Sequence, residues 1–395
     1  MSWREMSPMD QRLELVREYE TELFTMTELA THYGISRKTA YKWLERYQAD
    51  GALGLLERSR RPHTSPTKTP DEVIERLVTC RQRHPRWGPK KLLRYMKRRH
   101  PGRSGQWPAE STLARYLHTK GVTQQRPGSR RTWIQETTRV RHPSDGPNTI
   151  WTADFKGQFR IGNGRWCYPL TVMDTYSRYL LGCHGCEGPT DSESRATFQR
   201  LFEEYGLPAV MCTDNGTPFA STGVGGLTPL SVWWIRLGIV LDRIRRGHPE
   251  DNGRHERMHR TLKAETARPP AGTAHAQQQR FEAFRREYND ERPHEALDFE
   301  VPASRYVPSA RPYPSRLSPL EYPGHFDVRR VYPHGDIRLR GRRLFLSESL
   351  RGEYVGLEEV EDGVWDICFA SVRLARLDRR TWSLHPRPED RRVRS

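Results

Sequence analysis

The sequence predicts a multidomain chain: α-helical units of helix-turn-helix type, then an α/β core with a mixed sheet, then a small all-β barrel. Three observations carry that prediction. At 395 residues the chain is too long for one ordinary core. Its apolar pattern changes twice, from helical stripes to strands alternating with helices near residue 149, and to short alternating strands near residue 325. The 11 Trp, 16 Tyr and 12 Phe exceed what a disordered chain carries, although 29% of residues are charged and mean hydropathy is −0.87.

Residues 1–60 read as a helix-turn-helix domain. In DQRLELVREYE, Leu13, Val16 and Tyr19 form a helical stripe; a short helix over Thr27–Tyr33 ends at Gly34, and Ser36 caps a second helix from Arg37 to about Tyr47. On that helix Ala40, Trp43 and Leu44 face inward, while Arg37, Lys38, Thr39, Lys42 and Arg46 point outward to contact duplex DNA. A plain αα-hairpin with a solvated basic face is the alternative. After a basic Pro/Ser/Thr-rich link, residues 67–122 predict a second helical, helix-turn-helix-like domain, with Pro89 and Pro108 in first turns and Gly121 as a stop. Arg115 and Lys120 add phosphate contacts there, unless the unit serves packing alone. Residues 123–148 form a basic linker with Arg126, Arg130, Arg131, Arg139 and Arg141.

The core spans 149–305. WTADFKGQFR, CYPLTVMDTYS and RYLLGCHGCEG read as three antiparallel strands; DSESRATFQRLFEEYG, LTPLSVWWIRLG and DNGRHERMHRTLKAETA read as helices, with PAVMCTDNG and IVLDRIRRG as strands between them and a last helix near 274–290. A Pro-rich connector leads to the barrel at 325–380, and 381–395 is expected to be a disordered tail.

The net charge of +17, from 66 Lys+Arg against 49 Asp+Glu, favours a polyanionic partner, because neutralised phosphates release counterions. No apolar run of roughly 18 residues occurs, and MSWREMSPMD is neither a signal peptide nor an amphipathic anchor, so nucleic acid is preferred over membrane. Six scattered cysteines fit a reducing, cytoplasmic setting; Cys183 and Cys186 lack a second pair for zinc and read as buried small side chains. The metalloprotease, NTPase and hydrolase classes are set aside; for the last two, a Walker-type loop and a G-x-S-x-G elbow are lacking.

Three acids stand out by position. Asp154 lies in the first core strand, Asp214 ends an apolar strand at the turn Asp214-Asn215-Gly216, and Glu256 sits early on a helix after Asn252. Carboxylates beside apolar strands are costly unless paired or cation-bound, and Mg²⁺ takes hard oxygens shared with phosphates. Two such ions can serve the attacking and leaving oxygens of a phosphodiester. Singly the motifs are weak, since Asp-Asn-Gly is commonly just a turn; order and context make them specific. On the Glu256 helix, Arg260 and Lys263 share its face, Arg257 and His259 flank it, and Lys156 lies on the Asp154 side of its strand. Lys156, Arg257, Arg260 and Lys263 are candidate DNA contacts.

The set WTADFKG, YPLTVMDTYSRYLLG, CTDNGTPF, HPEDNGRHERMHRTLK and YNDERPHEAL resembles the catalytic core of bacterial insertion-sequence transposases related to retroviral integrases. The resemblance implies a ribonuclease-H-like fold over about 149–305 and a DDE metal site in which Asp154, Asp214 and Glu256 are the catalytic and metal-binding acids, with two Mg²⁺ ions and Mn²⁺ as a substitute. Family spacing of about thirty-five residues after the second Asp picks Glu250. The family's Asn-Gly-x-x pattern picks Glu256 instead, 42 residues past Asp214, with STGVGGLTP absorbing the excess as a loop. Asp251 and Asp174 are lesser candidates; Asp174 is read as support for the strand turn. The resemblance further implies hydrolysis at element ends and transfer of the freed 3′-hydroxyl into target DNA. Expected partners are double-stranded DNA (terminal repeats and target) and a homo-oligomer, at least a dimer, in a bacterial, nucleoid-associated setting. A helix-turn-helix regulator with a relic core is the alternative, and an RNA-cleaving enzyme of the same fold a third.

Overall fold

The computed structural model describes residues 7–58, 69–123, 142–245 and 252–386. By its contacts the chain divides into two compact units, Met1–Lys68 and Thr69–Ser395.

The first unit holds α1 (Pro8–Glu20), α2 (Met26–His32) and α3 (Arg37–Asp50). Ser7 with Asp10 and Thr25 with Glu28 close capping boxes, and Ser36 accepts from the Thr39 N–H, so each helix starts where a side chain satisfies an orphan amide. Gly34, at φ 65°, makes the turn between α2 and α3. Ala40, Trp43 and Leu44 pack against Leu15, Val16, Met26 and Leu55, as their spacing predicts.

The second unit opens with α4 (Asp71–Arg83), α5 (Pro89–Arg99) and α6 (Glu110–Thr119) around Leu77, Trp87, Leu92 and Leu113. Pro89 takes the first helical position; Pro108 instead precedes the α6 cap Ala109, and Gly121 follows the stop at φ 68°. These helices dock on the α/β core. Arg98 donates to the carbonyls of Asp290 and Glu291, and Arg86 to that of Ala264. The linker arginines Arg126, Arg130, Arg131, Arg139 and Arg141 lie outside the described residues.

The core comprises β1 (Ile150–Phe155), β2 (Phe159–Arg160), β3 (Trp166–Asp174), β4 (Leu180–Cys186), α7 (Asp191–Tyr205), β5 (Val210–Thr213), α8 (Pro229–Arg236), β6 (Val240–Arg243), α9 (Gly253–Thr266) and α10 (Ala274–Arg286). The run expected as one leading strand divides into β1 and β2 at Gly157, a poor strand former. β4, β3 and β1 pair antiparallel and β1, β5 and β6 parallel, giving the predicted mixed sheet. Strand alternation sends Trp151, Ala153 and Val172 to one face, against Phe198 and Phe202 of α7 and Trp233 and Trp234 of α8. Met173 and Leu180 meet Met258 and Leu262 of α9 and Phe281 of α10 on the other.

The carboxy-terminal region is antiparallel β as expected, with β7 (Asp327–Arg330), β8 (Asp336–Leu339), β9 (Arg342–Phe345), β10 (Tyr354–Glu361), β11 (Val364–Phe369), β12 (Val372–Asp378) and β13 (Ser383–Pro386). Among the described residues the pairing β13-β12-β11-β10-β7 leaves an open five-stranded sheet beside the β8–β9 hairpin, without ladder closure. The expected disordered tail needs correction: β13 lies within 381–395, pairing with β12 and packing Leu384 on the apolar cluster. Residues 387–395 lie outside the described residues. No helix among the described residues is long and apolar enough to cross a membrane.

The insert read from sequence as a passive loop has a packing task. Gly225 and Gly226 run at φ 66° and 63°, and a Cβ on Gly225 would stand 3.0 Å from Leu374 of β12. Leu227, 1% exposed, enters the carboxy-terminal cluster with Val232 and Ile235 of α8, and its carbonyl accepts from Ser221 and Ser349 hydroxyls. Leu227→Ala should therefore destabilise the protein by about 2–4 kcal/mol in urea unfolding; a loss below about 0.5 kcal/mol would show the insert to be ornamental.

Candidate functional site

β1 and β5 are parallel neighbours with Ala153 opposite Thr213, and the next residue on each chain is an acid. Asp154 and Asp214 thus stand side by side, and the fold alone brings them there. Asp154 faces α9, on the same side of β1 as Thr152, with Thr171 of β3 as its cross-strand partner. Burial, then the Asp214 carboxylate, push the Asp154 carboxyl up to about 7; Lys156 pulls it back and Glu256 adds a smaller push. Asn252 at the start of α9 makes no side-chain cap. Its amide donates instead to Asp154 Oδ2 at 3.4 Å.

The Asp-Asn-Gly segment is indeed a turn, and it also presents an acid. Asp214 Oδ1 accepts from the Gly216 N–H at 3.1 Å, while Asn215 Nδ2 donates to the Ile244 carbonyl at 2.7 Å and ties the turn to the end of β6. A Cβ at Gly216 would stand 3.1 Å from Asp214 Oδ2, so glycine keeps that carboxylate uncrowded.

Glu256 is exposed on α9 and lines an open cleft of about 480 Å³ with Asp154, Lys156, Arg260, Lys263 and Arg268. The predicted i, i+4, i+7 face is therefore the cleft wall, and Arg268 is a cation that periodicity did not reach. Arg257 is exposed and outside that lining. Among the described residues, no group of three or more His, Cys, Asp and Glu side chains is gathered to hold a metal ion. The acid trio expected from the sequence is thus an adjacent pair plus a third acid on the cleft wall, a separation that mutual repulsion among unneutralised carboxylates favours. The pair itself suits a divalent ion: two hard oxygen donors, one of them held by burial and then by its neighbour's charge to a proton near neutrality. Glu250 and Asp251 lie outside the described residues. Asp174 is wholly buried and accepts from the Asn148 N–H and from the Ser177 N–H and hydroxyl, the supporting role expected. Cys183 and Cys186 are buried free thiols.

One motif escaped the sequence reading. Residues 255–259 read His-Glu-Arg-Met-His, the H-E-x-x-H spacing of zinc metalloproteases, so that class was set aside too readily. The structure supplies the argument against it. His255 and His259 are 0% and 3% exposed, and both turn their Nε2 atoms to within 2.6 Å of the Thr171 hydroxyl, which fills the place a shared metal needs. Glu256 faces the cleft. Burial holds His255 down to about 3 and His259 to about 2, so both are neutral imidazoles.

In the first unit, Arg37, Lys38 and Lys42 are exposed and Thr39 and Arg46 half-buried. Lys42 and Arg46 lie 4.7 and 5.0 Å from the Trp43 ring centroid, joined at 3.9 Å by Arg12 of α1, which the sequence did not single out. Arg115, midway along α6, and Lys120, its C-terminal cap, are exposed.

Comparison with known proteins agrees with this architecture. Profiles of the integrase core domain match residues 144–249 and 237–302, that of the IS481 family transposase C-terminal domain matches 326–385, and a helix-turn-helix domain and a homeodomain-like domain match 11–63 and 39–117. An insertion element IS407 protein of 31.7 kDa from Burkholderia multivorans is 26% identical over 236 residues, 59% of this chain and 80% of that protein. The Pol polyprotein of a radiation murine leukemia virus is 28% identical over 124 residues, 31% of this chain and 20% of that one. Among solved structures, the HTLV-2 integrase catalytic core domain in complex with magnesium covers 41% of this chain and 99% of its own at 15% identity and TM-score 0.32. A chain of the simian T-cell lymphotropic virus intasome in complex with PP2A regulatory subunit B56 gamma is matched over 70% of this chain and 94% of its own at 15% identity and TM-score 0.37. The chain thus carries helix-turn-helix units ahead of an integrase core domain and an IS481 family transposase C-terminal domain behind it, and is similar to an insertion-element protein over 59% of its length.

Proposed function

We propose that the protein cleaves DNA at the ends of a mobile element and joins the freed 3′-hydroxyl to target DNA, with Asp154, Asp214 and Glu256 as its catalytic acids. The observation that carries this reading is the side-by-side placement of Asp154 and Asp214 at adjacent parallel strands, with Asp154 opening on a cleft lined by Glu256, Lys156, Arg260, Lys263 and Arg268. Asp154 and Asp214 would hold a divalent cation, Mg²⁺ or in its place Mn²⁺, with Glu256 drawn in from α9; such ions, two in the full reading, supply positive charge to the attacking and leaving oxygens. Lys156, Arg260 and Lys263 neutralise DNA phosphates beside the acids, while Arg37, Lys38, Thr39, Lys42 and Arg46 read the duplex at the element end. Joining two ends requires at least a dimer in the active complex.

The second reading, a DNA-binding regulator with an inactive core, draws on one observation: the described acids are not gathered as a three-ligand site. Duplexes ending in the DNA that flanks the coding region separate the two. Asp154→Asn, Asp214→Asn and Glu256→Gln should each lower Mg²⁺-dependent cleavage and joining by about 10³-fold or more, with duplex binding within about threefold of wild type. Wild-type binding with no cleavage under any divalent ion favours the regulator, and activity lost in Glu250→Gln but kept in Glu256→Gln reassigns the third acid. Arg260→Ala and Lys263→Ala should weaken duplex binding uniformly across sequences, each reducing the salt slope by about 1.

The pH dependence has a definite sign. Asp154 keeps its proton up to about 7, where an ordinary aspartic acid has lost it by about 3.8. Proton and cation then compete below neutrality, so the half-saturating Mg²⁺ concentration should rise up to about tenfold per pH unit below 7 and level off above it. A break only in the ordinary aspartate range would contradict the burial of Asp154 together with its crowding by Asp214.

A further inference from the structure

The two buried histidines do more than fill space. The Thr171 hydroxyl has one proton and three polar neighbours: His255 Nε2 and His259 Nε2, each at 2.6 Å, and the Asp154 carbonyl at 3.1 Å. At the far end His255 Nδ1 is 2.9 Å from the Thr152 hydroxyl, and at the near end His259 Nδ1 is 3.6 Å from Asp154 Oδ2. Three assignments of the protons exist, because Thr171 can donate to the Asp154 carbonyl, to His255 or to His259. A proton given to His255 leaves His259 donating Nε2–H to Thr171 with a bare Nδ1. If Thr171 donates to the Asp154 carbonyl, both imidazoles must donate to Thr171, and His259 then turns a bare Nδ1 lone pair toward the carboxylate. If Thr171 donates along one of its shorter contacts, to His259, the protons run one way: Thr152 donates to His255 at 2.9 Å in preference to the Met173 carbonyl at 3.3 Å, His255 to Thr171, Thr171 to His259, and His259 Nδ1–H is turned toward Asp154 Oδ2. Every assignment uses both 2.6 Å contacts, and only the one in which Thr171 donates to His259 puts a donor, not a lone pair, against the carboxylate, at 3.6 Å.

We infer that His259 is a positioning residue of the acid site: a one-way chain from Thr152 through His255 and Thr171 aims its Nδ1–H at Oδ2 of Asp154 and leaves the other carboxylate oxygen to the cleft. The inference rests on the reading of Asp154 as a cation ligand. It also gives the chain a second consequence, because His255 and His259 bracket Glu256 on α9. The links that orient Asp154 therefore fix the helix carrying the third acid against β1 and β3. Outer partners of this kind set the orientation of metal-binding side chains.

The sharpest probe is Thr171, which touches neither cleft nor cation. In the full-length protein, Mn²⁺ binding followed by the electron paramagnetic resonance of free Mn²⁺ should weaken about tenfold in Thr171→Val and stay within about twofold of wild type in Thr171→Ser, which keeps the hydroxyl. Half-saturating metal for cleavage should rise by the same factor in Thr171→Val, with duplex binding and the rate at saturating metal nearly unchanged. Wild-type Mn²⁺ binding in Thr171→Val, with binding lost in Asp154→Asn, overturns the chain and leaves the metal reading standing. Binding retained in Asp154→Asn overturns the metal reading and the chain with it. Should Thr171→Val fail to fold, the ¹⁵N signals of the wild-type histidines decide: His255 as the Nε2–H and His259 as the Nδ1–H tautomer support the chain, and His259 as the Nε2–H tautomer overturns it.

Discussion

Two carboxylates held at the same level of adjacent parallel strands repel each other, and much of the structure around them answers to that repulsion. β1 and β5 must run parallel and in this register for Asp154 and Asp214 to meet. Burial on the α9 face then removes the water that would otherwise screen them, which is why Asp154 is pushed to about 7. Such a pair costs stability in the bare protein, and a cation bound between the two carboxylates would restore it. Gly216 leaves Asp214 uncrowded, and the basic cleft wall gives the phosphates of a DNA chain a reason to lie beside the acids.

Three parts of the second unit converge on that pair. α9 is anchored on the sheet through Asn252, His255 and His259 at its beginning, and the Arg86 side chain from the helical group caps the Ala264 carbonyl farther along it. The carboxy-terminal sheet reaches the other side through the insert: Leu227 is buried in its core, and Arg243, at the end of β6 beside the Asp214 turn, donates to the Gly226 carbonyl at 2.7 Å. The extra residues between Asp214 and Glu256 thus have a physical use. They carry a plug into the carboxy-terminal sheet.

Much of this was legible in the sequence, wherever local chemistry decides structure. Ser36 as a cap, Gly34 as a turn and Trp43 as a core residue follow from neighbours within a few positions. The acids at strand ends and the Glu256, Arg260 and Lys263 face follow from periods of two and 3.6. What could not be read was partnership across distance. Thr171 lies 84 and 88 residues from the histidines it joins, and nothing local marks it as their hinge. The H-E-x-x-H spacing was visible but uninformative alone, because its meaning depends on which way the imidazoles turn. Leu227 read as loop because its burial is supplied by residues more than a hundred positions later. β13 read as tail because a four-residue strand is defined by its partner β12.

The claim that Asp154 and Asp214 form one cation site is tested most directly by diffraction from crystals grown with Mn²⁺, using its anomalous signal. The account predicts a peak within coordination distance of both carboxylates, with Glu256 turned toward it. An anomalous peak away from this pair, or a map that leaves Asp154 and Asp214 without a metal at saturating Mn²⁺, would contradict it.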